Sequence, residues 1–138
     1  MKAVKKISMV ELREALEAVW NPDTAYLCVV EKGNPALGQC YPTSRIVQFY
    51  FPETEIVEGQ VWTGKNLEKH FWNVLISDDE EYHIDFSWQQ FPPGSSVRSY
   101  ELRDRTTLGD GEETIKRVEL LKSRVDAYFN KKNRVDLV

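Results

Sequence analysis

Residues 70–88 read HFWNVLISDDEEYHIDFSW. Two runs rich in aromatic and β-branched side chains, 70–76 and 82–88, flank an acidic joint, Ser77–Glu81. Such side chains suit a half-buried pleated surface, and the joint reads as a hairpin turn. If Asp78 and Asp79 form a two-residue loop, Val74 faces His83, Trp72 faces Asp85 and His70 faces Ser87. His70 and Asp85 then share a face as diagonal neighbours, their Cβ atoms roughly 7–8 Å apart or less. A slip of one residue would send Asp85 to the opposite face. In the unslipped register the carboxylate can accept the imidazole N–H, fix its tautomer and stabilise the imidazolium.

Upstream of the hairpin, residues 38–51 read GQCYPTSRIVQFYF. Pro42 fits a helix only in its first turn, where its missing N–H costs nothing. Cys40 is therefore expected at or beside a helix N-terminus. Ile46, Val47, Phe49, Tyr50 and Phe51 make this helix apolar on most sides, which predicts a central position, and Pro52 ends it. A thiol at a helix start is either a small buried hydrophobe or a nucleophile favoured by unpaired N–H groups and the helix dipole.

The remaining elements follow from local signals. Ser8 and Glu11 form a capping box, and Leu12, Leu16, Val19 and Trp20 recur at helical spacing, so a first helix spans about residues 8–20. Residues 25–30 are apolar without clear period, and 31–38 have loop chemistry. A strand is expected over 56–62, irregular chain over 95–109, and a final amphipathic helix opened by Asp110 with Glu113 as a cap signature and carrying Ile115, Val118, Leu121, Val125, Tyr128 and Phe129. This order predicts an α+β fold, with a Cys-led helix packed on an antiparallel sheet.

Size and composition fit one domain over 1–138, with 41% apolar and 12% aromatic residues. Eighteen basic against 22 acidic residues give a net charge of −4 with no basic stripe, so no nucleic-acid partner is expected. Two cysteines do not make a disulfide framework. No signal peptide and no membrane span are read, so the expectation is a cytoplasmic protein with reduced thiols.

Together, Gly38-Gln39-Cys40 before a helix, His70-Phe71-Trp72-Asn73 opening a strand, and Asp85 fifteen residues after the histidine resemble the transglutaminase-like branch of the papain-like cysteine enzymes. More closely, GQC, HFWN, IDFSWQQF and RVELLKSRV are similar to the YunG-like family of small bacterial proteins, over roughly residues 15–125. The resemblance implies a papain-like core and a Cys-His-Asp triad. Cys40 would be the nucleophile, His70 the base and then the acid, and Asp85 the orienting carboxylate. Tyr41 stands where the animal enzymes have tryptophan, and the chain is far shorter than theirs, so cross-linking activity does not follow.

Each functional reading has a structural rival. Gln39 and the Cys40 backbone N–H can donate to an oxyanion, while a loop amide is the alternative for Gln39. Trp72 supports the site or fills core, as does Trp88. His83 is a rival base, and Cys28 reads as core. Cys28, Cys40, His70 and His83 lack the close C-x-x-C pairing of a zinc site, so no metal and no cofactor are expected. The leading expectation is a thiol hydrolase or acyl transferase acting on a small amide or a peptide or protein substrate through a thioester. The alternative is a non-catalytic binding protein on the same fold.

Overall fold

The computed structural model describes residues 7–26 and 31–136. Cys28 and most of the apolar run 25–30 lie outside these residues. Among those described, three α-helices and one four-stranded antiparallel sheet make an α+β fold. None of the helices is long and apolar enough to cross a membrane.

Helix α1, Met9–Val19, begins at the capping box: the Ser8 hydroxyl accepts from the Glu11 N–H at 3.1 Å, and Glu11 accepts from the Ser8 N–H at 3.3 Å. Its buried stripe is Leu12, Ala15 and Leu16. A 3₁₀ turn, Pro22–Thr24, follows at the expected stop. Helix α2, Cys40–Tyr50, has Cys40 as its first residue and Pro42 in the first turn. Helix α3 is Glu112–Asp136. Leu12, Leu16, Ile46, Val47, Leu121 and Val125 from these three helices make the main core. Burying each such side chain contributes about 1.5–3 kcal/mol.

Two expectations about the helices change. Helix α2 is not apolar all round: it buries Thr43, Ser44, Ile46 and Val47, while Phe49 is 56% exposed with the Lys122 ammonium 4.1 Å from its ring centre. Two small polar residues thus share the buried face because their hydroxyls find partners. Thr43 accepts from the Trp20 indole at 3.0 Å, and the Ser44 hydroxyl donates to the Tyr41 carbonyl at 2.7 Å. Asp110 does not act as the cap of α3. The Gly111 carbonyl receives the Ile115 N–H, and both Asp110 oxygens are taken by α2, from Tyr41 and Arg45.

The sheet order is β3-β2-β1-β4, with β1 Glu55–Trp62, β2 Leu67–Ser77, β3 Glu80–Ile84 and β4 Ser96–Arg103. Strand β4 replaces the expected irregular chain. Seven of its eight residues are exposed, so no apolar alternation marks it, and its strand geometry is set by pairing with β1. The β2–β3 turn is Asp78-Asp79, both at positive φ (51° and 66°), as a tight hairpin requires. Val74 faces His83 as expected.

The ladder, however, ends at Asn73 and Ile84, so Asp85 lies beyond the strand and does not pair with Trp72. Its side chain competes with strand continuation, its Oδ1 accepting from the Ser87 N–H at 3.3 Å and the Ser87 hydroxyl at 3.4 Å. This Asx-type turn leads into a 3₁₀ turn, Trp88–Gln90. Residues 67–72 of β2 are thereby left without a β3 partner, and the turning segment takes that place.

Candidate active site

His70 is fully buried, and its Nε2 lies 2.7 Å from Asp85 Oδ2. The contact expected from the hairpin is made, but from the turn after β3 rather than from the strand. The Cys40 thiol lies near enough to the same imidazole to favour its protonated form. With Nε2 engaged by Asp85, Nδ1 is the nitrogen left for the sulfur. In the neutral ring, Nε2–H donates to the carboxylate and Nδ1 is left as the acceptor. Gln90 Nε2 also stands 3.5 Å from Nδ1, at the outer limit of a hydrogen bond, while donating to the Ser87 carbonyl at 3.1 Å.

Burial pushes the His70 pKa down, but the hydrogen bonds and charges of Asp85 and Cys40 outweigh it and carry the ring up to about 9. The imidazolium is therefore the favoured form at neutral pH.

Aromatic rings hold the imidazole in place. Trp72 stacks on it with centroids 5.5 Å apart and planes at 26°. Phe91 meets it edge-on at 4.7 Å, and Trp88 at 6.1 Å. The Trp72 indole N–H donates to His83 Nδ1 at 2.8 Å, and His83 Nε2 lies 3.2 Å from Glu81. His83 thus fixes Trp72, and its two nitrogens are engaged by Trp72 and Glu81 rather than by Cys40. Gly59, facing His70 across the β1–β2 ladder, makes the stack possible. A Cβ there would stand 2.3 Å from Trp72 Cη2 and 2.9 Å from the Ser99 carbonyl oxygen.

Gln39 is buried with its amide anchored to the turn before it. Its Oε1 accepts from the Thr24 hydroxyl at 2.8 Å, and its Nε2 donates to the Asn21 carbonyl at 2.9 Å. The same turn is gripped from α3 by the bidentate Arg124–Asp23 pair, both contacts 2.6 Å. This scaffold fixes the residue that leads into Cys40. What Gln39 can offer an oxyanion is its one remaining N–H.

Cys40 is partly exposed and borders a cavity of about 620 Å³, whose walls include Tyr41, Phe71, Gln90, Asp110 and Arg117. Gln90, Gly59 and Arg117 were not singled out by sequence. The FSWQQF run lay inside the resemblance, which alone could have pointed to Gln90. Among the described residues no cluster of three or more His, Cys, Asp or Glu is arranged to hold a metal ion.

The family pattern described as YunG protein matches residues 8–130. The chain belongs to the YunG family. The match takes in all five site residues expected from sequence, from Gln39 to Asp85, and most of α3. No curated protein and no solved structure matches this YunG-family chain.

Proposed function

We propose that this YunG-family protein is a cysteine acyl-transfer enzyme, a thiol hydrolase or acyl transferase, that opens an amide through a thioester on Cys40. The papain-like, transglutaminase-like organisation inferred from sequence belongs to the same proposal. The observation that carries it is the buried His70 held 2.7 Å from the Asp85 carboxylate, with its proton affinity raised by Asp85 and by a Cys40 that opens a helix beside an open cavity.

The chemistry follows from the order of these groups. The raised proton affinity of His70 lets the ring hold the proton that the Cys40 thiol gives up, so the nucleophile is a thiolate beside an imidazolium. The sulfur then adds to the amide carbonyl and forms a C–S bond. The Cys40 backbone N–H, unpaired in the first turn of a helix, is available to the oxyanion. His70 passes its proton to the leaving nitrogen as the C–N bond breaks, and the amine departs. Water or an acceptor amine next gives its proton to His70 and attacks the thioester. The C–S bond breaks, and the thiol recovers its proton from His70. Asp85 stays ionised and holds the ring throughout.

Intact-mass spectrometry with a panel of activated acyl donors tests the proposal. Adducts are expected on wild type and absent from Cys40→Ser. Alkylation by iodoacetamide at pH 7 should slow by about 100-fold or more in His70→Ala, the scale of a lost general base. Alkylation of wild type no faster than that of a cysteine in a short peptide would sink the proposal.

A second reading, a binding protein with an unused triad, draws on the closure around His70, which Trp72, Trp88 and Phe91 wall in. It predicts a slow thiol and no adduct in the same two assays.

A further inference from the structure

The cavity beside Cys40 carries more positive charge than the protein itself balances. Glu58 accepts from Arg103 at 2.9 Å and lies 3.9 Å from Lys69, whose side chain is mostly exposed and solvated. Asp110 receives Arg45 at 3.0 Å and the Tyr41 hydroxyl. Burial and the Asp110 carboxylate keep the Tyr41 phenol protonated well above its ordinary range, so Tyr41 stays a donor to Asp110.

Arg117, on α3, is the cation left over. Its Nη2 donates to Thr114 at 3.0 Å, and its guanidinium lies 5.5 Å from the Tyr26 ring centre. No carboxylate among the described residues pairs with it, and its Nε is buried with no hydrogen-bond partner. Buried donors in folded proteins almost always have acceptors. Arg117 itself lines the cavity that Cys40 borders.

We infer that the cavity selects acyl donors bearing a carboxylate, which pairs with Arg117 while the reacting carbonyl meets Cys40. This specificity rests on the acyl-transfer reading above. A guanidinium edge matches a planar carboxylate in shape and charge. A phosphate dianion would call for a second desolvated cation, and Arg103 is already paired. The acyl side is the part selected, because the amine leaves after the first half-reaction and the acyl group remains on the sulfur at the cavity. Thr114 and Tyr26 hold the guanidinium in place.

The test uses p-nitroanilides of succinic, glutaric and adipic acid, each beside its methyl ester, with wild type, Arg117→Lys and Arg117→Gln. The expected result is a free acid preferred over its ester at one chain length by roughly 10- to 100-fold in kcat/KM, the scale of a charge-assisted hydrogen bond. That ratio should collapse toward one in Arg117→Gln and be partly kept in Arg117→Lys. Equal use of acids and esters by wild type, or a preference that survives Arg117→Gln, overturns the inference while leaving acyl transfer standing. Binding of glutarate to Cys40→Ser, read from the Arg117 Nε–H resonance, separates the two ideas. A shift there without turnover of any donor supports the anion site and sinks the acyl-transfer reading. Turnover without a shift does the reverse, and neither signal defeats both.

Discussion

Asn at position 85 would keep the shape of the side chain and remove its charge. In the wild-type protein Asp85 Oδ2 sits 2.7 Å from Nε2 of the fully buried His70, while Asp85 itself is partly exposed. Burial alone would lower the imidazole pKa, so its rise from 6.5 to about 9 comes from Asp85 and Cys40. A lift of that size corresponds to about 3 kcal/mol of preference for the imidazolium. Asp85→Asn should remove most of it and bring His70 back toward or below its ordinary value.

The chain has two histidines, so long-range ¹H–¹⁵N spectra across a pH series resolve both. His83, held between Trp72 and Glu81, gives the second set of ring resonances to be told apart from those of His70. The sign for stability follows from the folded-state pKa being the higher one. The stabilisation is fully present below about pH 6.5 and is lost as pH rises through about 9. The gap in unfolding free energy between wild type and Asp85→Asn should therefore be largest near pH 6, shrinking by up to about 3 kcal/mol by pH 9.5. If His70 titrates at the same pH in both proteins, Asp85 does not control the ring, and the reasoning about the triad is refuted.

Two other substitutions probe what holds the site together. Gly59→Ala would drive a methyl into Trp72 and toward the Ser99 carbonyl. A loss of about 1–3 kcal/mol in urea unfolding is expected, with a changed near-UV circular dichroism signal as the indole leaves His70. Gln39→Glu would set an acceptor against the Asn21 carbonyl and bury a charge. It should lower stability by at least about 2 kcal/mol, seen as a fall in Tm that is relieved at acidic pH, where the new carboxyl is protonated.

What the sequence settled by itself was local. The capping box at Ser8 and Glu11, Pro42 in the first turn of α2, and the Asp78-Asp79 hairpin all rest on hydrogen bonds and dihedral limits among residues within a few positions of one another. The facing of Val74 and His83 follows directly from that turn. The approach of His70 to Asp85 was legible too, because fifteen residues of hairpin leave little freedom, although the turn at Ser87 rather than the strand delivers the carboxylate.

Tertiary structure decided the rest, where partners are far apart along the chain. Strand β4 exists because β1 offers it a ladder, and its exposed side chains carry no pattern that announces it. Asp110 looks like a helix cap in sequence, but two α2 side chains claim it across 65 and 69 positions. Gln39 reads as a free loop amide until the 21–24 turn folds back onto it. Arg117 stands out among the described cations because its Nε is buried without a hydrogen-bond partner. Each of these depends on which polar groups remain unsatisfied after packing, and that balance belongs to the folded chain as a whole.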